Sequence, residues 1–190
     1  MNLYELPTEL EIKGNRYKIR SDYRAILDIL KAQNDPELDP DTRTYVLLNI
    51  FYPEWRSIPP SDLEEAIMAA VEFIDCGNKE EDGRKRPVLM DWQQDAGLII
   101  PAINNVAKME VRSVPYMHWW TFLGYYMSIG ESLFSDVLNI RAKRAKGKKL
   151  EKYEKEFERE NRDIISLKKK ETDEERAERE YLEQWLGGGD

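Results

Sequence analysis

The chain carries a single histidine, His118, and a single cysteine, Cys76, and this scarcity bounds its chemistry. Zinc sites are assembled mainly from Cys and His, so one of each builds no site of the usual ligand type, and no metal is expected. His118 lies in Tyr116-Met-His-Trp-Trp-Thr-Phe122, the most aromatic segment of the chain. A catalytic histidine needs a nucleophile or an orienting carboxylate within hydrogen-bond reach, and the sequence places none beside it. It reads as a satisfied histidine at the edge of a core. Cys76 has no partner for an internal disulfide, which excludes a secreted disulfide framework, and it reads as a small hydrophobe ending a helix. Asp91 and Asp95 would share a helix face at i, i+4, where capping and favourable charge at a helix N-terminus account for both. Gly187-Gly-Gly189 has no helix after it to present N–H groups to a phosphate. The expectation is a protein without catalytic residues, metal or cofactor, and not an enzyme.

Electrostatics offers the other possible chemistry. Six of the nine residues from Arg141 to Lys149 are Lys or Arg. Such a run could contact phosphates, balance the acidic stretch after it, or sit at a helix C-terminus, where cations are favoured. Residues 1–140 hold 14 basic and 23 acidic side chains, a net of −9, whereas residues 141–190 hold 15 and 14, a net of +1. An acidic body repels a nucleic-acid backbone, and no nucleic-acid partner is expected. Trp119, Trp120, Tyr125 and Tyr126 could form a stacking platform, but their helical spacing reads as core.

These residues need elements to position them. The apolar share, 41%, can fill a core, and the charged share, 35%, exceeds the usual quarter, so part of the chain is more solvated than an ordinary globule. Leu10-Glu-Ile-Lys13 and Arg16-Tyr-Lys-Ile19 alternate apolar with charged residues around Gly14-Asn15, which predicts a hairpin over residues 9–20 with Ile12 facing Tyr17 and Leu10 facing Ile19. Helices follow. Ser21 or Asp22 caps a helix with Tyr23, Ile26, Leu27 and Leu30 inward, and Asp39-Pro40 opens one carrying Leu47, Ile50 and Phe51. Ser61-Asp-Leu-Glu64 reads as a capping box before a stripe of Leu63, Ile67, Ala70, Val71 and Ile74. Residues 77–87 read as an exposed loop. Asp91-Trp-Gln-Gln94 caps a helix with Ala96, Ile99, Ile103 and Val106 inward, which Pro101 should kink or split. Pro115 begins a helix from Tyr116 to about residue 129, apolar on most sides and therefore buried, so Trp119, Trp120, Phe122 and Leu123 are assigned to the structural core. Ser132 opens the next helix, with Leu133, Phe134, Val137 and Ile140.

The last fifty residues differ in kind. Leu150, Tyr153, Phe157, Ile164 and Leu167 fall on alternating a and d heptad positions, interrupted by Glu160, and all other positions there except Ile165 are polar or charged. A seam this narrow suits one partner helix, and these five are the candidate partner-binding residues. Thr172-Asp-Glu-Glu175 is a second capping box, opening a helix with Tyr181, Leu182 and Trp185. The fold class expected is mainly α: a small N-terminal β-hairpin and a compact helical body over residues 1–145, then a charged amphipathic helical tail over residues 146–190. The first eleven residues carry acids and Pro7 where a signal peptide needs a basic and then an apolar stretch. No run approaches the ~18 apolar residues of a membrane span, so no membrane association is expected.

Three stretches taken in order resemble one family. They are Asp91-Trp-Gln-Gln-Asp95 leading into an apolar helix, His118-Trp-Trp-Thr-Phe-Leu123, and Gly130-Glu-Ser-Leu-Phe-Ser-Asp-Val-Leu-Asn-Ile-Arg141 before a Lys/Glu-rich tail. This order is similar to the "gene-product-fifteen" family of siphophages and of prophages in low-GC Gram-positive bacteria, over roughly residues 5–168. That family is encoded between the major tail protein and the tape measure protein, the position of tail assembly chaperones. The resemblance implies a chaperone that binds the long apolar tape measure protein in the host cytoplasm, keeps it soluble while the tail tube polymerises, and is absent from the mature virion. It also implies homo-oligomers, in many cases a longer frameshifted form, and contact with the major tail protein. Two other classes stay open: a structural completion or connector protein retained in the virion, and a nucleic-acid-binding regulator.

Overall fold

The computed structural model describes residues 4–76, 87–168 and 171–187, with side chains as far as Leu182 in the last segment. The loop expected over residues 77–87 falls outside it except for Pro87, as do the glycine end beyond Gly187 and the side chain of Trp185. The fold is mainly α. Strands β1 (Glu9–Ile12) and β2 (Asn15–Lys18) precede α1 (Tyr23–Gln33), α2 (Pro40–Phe51), α3 (Leu63–Ile74), α4 (Ala96–Ala107) and α5 (Trp119–Met127). After them come α6 (Leu133–Ala145), α7 (Lys152–Glu160), α8 (Arg162–Ile165) and α9 (Asp173–Gly187).

The hairpin forms in a register two residues away from the expected one. Leu10 pairs with Tyr17 and Ile12 with Asn15, around a Lys13-Gly14 turn. The reason is the turn type. Lys13 and Gly14 have φ of 46° and 83°, and a type I′ turn needs positive φ at both central positions, with glycine suited to the second. A shift of two residues preserves the pleat, so Leu10, Ile12 and Ile19 remain on one buried face. That face lies on α3, and the Lys13 ammonium fixes it by donating to Asp62 Oδ1 and Ser61 O, both at 3.0 Å.

Helix starts follow the sequence closely where a capping carboxylate or hydroxyl is free. Asp22 accepts from Arg24 N–H and Asp39 from Thr42 N–H. The capping box expected at Ser61 does not form, because Asp62 is already engaged by the Ser61 hydroxyl and Lys13, and a 3-10 turn over Pro60–Asp62 leads into α3 instead. The buried stripe of α3 is Ala66, Ala70, Phe73 and Ile74; of the expected stripe Ala70 and Ile74 are buried, Leu63 and Ile67 half-buried and Val71 exposed. Alanines face inward because α3 lies close to α2, where the Tyr52 hydroxyl donates to Ala66 O at 2.8 Å. Helix α4 runs through Pro101 without splitting, and the proline lies on its exposed side.

Helix α5 starts at Trp119 rather than near Tyr116. Residues 117–119 are drawn into a short extended pairing with the start of α1, through Tyr23 N–H to Met117 O at 2.9 Å and Trp119 N–H to Ser21 O at 2.7 Å. His118 then caps α5. Its Nδ1 accepts from Trp120 N–H at 3.1 Å, so Nε2 carries the proton and donates to Pro7 O at 3.0 Å. It is a buried, satisfied histidine.

Burial lowers the His118 pKa below its ordinary 6.5, against a smaller opposing effect of the bond to Pro7. The folded state therefore favours the neutral ring. Its contribution to stability is complete above about pH 6.5 and is lost as the unfolded chain protonates below that value, by at most about 1.4 kcal/mol per pH unit. His118→Gln should thus show a shallower loss of stability than wild type between about pH 7 and 5 in urea titrations. Equal slopes in the two proteins would refute this.

The two adjacent tryptophans have a specific task. Indole Nε1 of Trp119 donates to Ile74 O at 2.8 Å, and that of Trp120 donates to Phe73 O at 2.9 Å. These are carbonyls of the last turn of α3, where intrahelical donors run out; that of Phe73 also accepts from Cys76 N–H at 3.1 Å. Trp119 and Phe122 are buried, while Trp120 and Leu123 pack half-buried against the same core. Tyr23 stacks on Phe122 with ring centroids 4.2 Å apart, and Phe51 and Phe73 meet beneath them.

A candidate partner-binding surface and the ion-pair hub beneath it

The C-terminal third is organised by α6. Ser132 and Ser135 form a reciprocal capping box at its start. At its end Gly147, with φ of 63°, permits the paired bonds Gly147 N–H to Arg144 O and Lys148 N–H to Lys143 O, the Schellman arrangement. The chain then reverses, and residues 150–165 pack onto α4 and α6. Val137, Ile140, Leu150 and Ile165 form a small core apart from the main one, with Leu98, Phe157 and Ile164 packed against it.

Arg141 is the centre of this arrangement. It forms a bidentate pair with Asp95, Nη1 to Oδ2 at 2.7 Å and Nη2 to Oδ1 at 2.9 Å, and both side chains are buried. Its remaining N–H groups donate to Leu89 O, Ile164 O and Ile165 O at 2.8–2.9 Å. All five guanidinium donors are thereby used, joining the segment before α4, α4 itself, α6 and the last carbonyls of α8. Asp95 Oδ2 also accepts from Asp91 N–H at 2.9 Å. Lys143 pairs with Glu154 at 2.6 Å, and Asn139 Nδ2 donates to the same carboxylate oxygen at 2.8 Å. The Lys143 bond, followed by the Glu151 N–H, holds Glu154 below the usual carboxylate range. Arg144 pairs with Glu158 and lowers that carboxyl in the same way. Three cations of the basic run thus balance carboxylates of Asp95, Glu154 and Glu158.

The five candidate partner-binding residues are placed unequally. The expected heptad does not run as one helix: Asn161, at φ −122° and ψ 33°, separates α7 from α8. Leu150 is buried, Phe157 and Ile164 are half-buried on the small core, and Leu167 is half-buried beyond α8. Tyr153 is 69% exposed. The structure therefore brings Leu150, Phe157 and Ile164 together and leaves Tyr153 in solvent. The break turns Ile165 inward, the one apolar residue outside the heptad. Beyond α8, the Gln94 amide pairs with both backbone groups of Lys168, and Thr172 and Glu175 form the expected capping box of α9.

Sequence reasoning missed the Asp95–Arg141 hub, although a signal was present. Asp95 is in line with Ile99 and Ile103 at i, i+4 and i+8, and Arg141 with Phe134 and Val137 at i+7 and i+4. Charges of opposite sign on two inward stripes require each other, since an isolated buried charge is too costly. No group of three or more His, Cys, Asp or Glu among the described residues is placed to hold a metal ion. Among the same residues no helix is long and apolar enough to cross a membrane.

Fold and site together define a small, mainly helical protein whose C-terminal arm is docked by ion pairs and a saturated guanidinium. The chain belongs to the family described as Bacteriophage Gp15 protein, which it matches over residues 3–167. It is a bacteriophage protein of a structural or morphogenesis family, one not known for enzymes. No curated protein and no solved structure matches it.

Proposed function

We propose that this protein is a tail assembly chaperone, which binds the tape measure protein and keeps it in solution while the tail tube polymerises, without catalysis. The observation that carries the reading is the C-terminal arm. Within a family of phage structural or morphogenesis proteins, it presents an amphipathic seam that is only partly covered by its own body. Tyr153 stands in solvent, and Phe157, Ile164 and Leu167 are half-covered. Burying such side chains against a partner is worth roughly 1.5–3 kcal/mol each before ordering costs, which suits a helix laid in an apolar seam. The acidic body, at a net −9 over residues 1–140, keeps such a complex dispersed. Its partners are then the tape measure protein, further copies of itself and the major tail protein, in the host cytoplasm.

Co-expression with the tape measure protein tests this. Phe157→Asp with Ile164→Asp should leave a soluble chaperone and send the tape measure protein to the pellet. Because both residues also touch the small core, Tyr153→Asp is the second arm: Tyr153 is largely exposed and outside that core, so the change should weaken capture alone. If both variants hold the tape measure protein in solution as wild type does, the seam is not the binding surface. Mass spectrometry of purified particles should find no copies of the protein, and stoichiometric retention would mark a structural tail component instead.

A further inference from the structure

Helix α9 lies beyond the segment matched to the family, which ends at residue 167. Every side chain over residues 173–182 is exposed, including Tyr181 and Leu182. A stretch of this length without a packed face among its described side chains is marginal as a helix in water. Glu174, Ala177, Glu178, Tyr181 and Leu182 share one side at helical spacing, so it has an acidic face with an apolar centre that nothing among the described residues covers. Arg176 and Arg179 are paired with Asp173 and Glu171, which leaves Glu174, Glu178 and Glu180 without ion pairs among the described residues.

The complementary surface is the turn after α6. Lys143 and Arg144 are committed to Glu154 and Glu158, but Lys146, Lys148 and Lys149 are exposed and carry no ion pair among the described residues. The Gly147 turn holds them in one place. Lysine stems give apolar surface below charged tips, which matches an acidic face centred on Tyr181 and Leu182. Among the described residues no hydrogen bond joins the two: those of α9 reach Glu37 and Glu171, and Lys146, Lys148 and Lys149 are exposed.

We propose that α9 of one copy docks on the Lys146–Lys149 turn of a second copy. Donor and acceptor are different surfaces, so the contact is head-to-tail and propagates as a ring or an open chain. It is independent of tape measure binding and is tested without that partner. Light scattering on the full-length protein should show concentration-dependent association that weakens by about tenfold or more between roughly 50 mM and 500 mM salt, because the contact is made of exposed charges. Two variants with intact circular dichroism decide it: Lys146→Glu with Lys148→Glu and Lys149→Glu, and Glu174→Lys with Glu178→Lys and Glu180→Lys. Each alone should be monomeric, since its two surfaces then carry the same sign, and an equimolar mixture should associate again. A monomeric wild type at every concentration, a variant that still associates alone, or a mixture that stays monomeric would each overturn the proposal.

Discussion

Asp95→Ala should destabilise the protein by about 3–5 kcal/mol, the cost of leaving a buried charge without its partner. Arg141 is held by Leu89 O, Ile164 O, Ile165 O and Asp95, and only 7% of its side chain is exposed, so little solvation replaces the carboxylate when it is removed. Replacing both residues by apolar ones, Asp95→Leu with Arg141→Met, removes the uncompensated charge and should recover part of the loss. Recovery is incomplete because three backbone carbonyls lose their donor, at about 1–3 kcal/mol for each that stays buried. The expected order of stability in urea is wild type, double variant, Asp95→Ala. The hub also ties α8 to the body, so Arg141→Met alone should make the Lys-rich turn a site of rapid tryptic cleavage. An Asp95→Ala variant within about 1 kcal/mol of wild type would show that water enters the hub and that its bonds are not structurally decisive.

The second large effect is at Trp119. Truncation to alanine should cost about 3–5 kcal/mol from lost burial and the cavity left behind, and the protein should become insoluble on expression. Trp119→Phe separates the two contributions, since it retains most of the buried ring and removes only the bond to Ile74 O. That variant should lose about 1–3 kcal/mol, the penalty of a buried carbonyl without a donor. Trp120→Ala should cost less than Trp119→Ala, because Trp120 is half-exposed and stacks on Phe73 from outside. Reversal of that order in thermal melts would contradict the placement of the two rings.

The sequence is most legible where a local rule acts alone. Asp39-Pro40, Ser132 and Thr172 open helices as their types dictate, because nothing else claims their side chains. It misleads where a distant residue intervenes. Ser61 fails to cap α3 since its hydroxyl turns to the Asp62 carboxylate that Lys13 also holds, and Pro115 fails to open α5 since Ser21 and Tyr23 draw residues 117–119 into extended pairing. The hairpin face was readable from alternation, but its register depends on backbone dihedrals at Lys13 and Gly14 that composition does not reveal. The seam at residues 150–167 was visible as a pattern. Its break at Asn161, and the burial of Leu150 and Ile165, depend on the acceptor surface of α6 and on Arg141, whose partners are up to 52 positions away.

The bond between His118 and Pro7 spans 111 positions, and this has a consequence during synthesis. At about 5–20 residues per second, the ribosome takes roughly 6–20 s to deliver His118 after Pro7. Throughout that interval the nascent hairpin lacks its anchor, and α3, on which it lies, is itself about fifty residues behind. A two-stranded ribbon is marginal by itself, so Leu10 and Ile12 wait uncovered among other nascent chains. The strands are only four residues each, with Glu9, Glu11, Arg16 and Lys18 facing outward, and short charged edges discourage pairing with a neighbour. The same alternation that marks the hairpin in the sequence therefore protects the growing chain until its docking surface has been made.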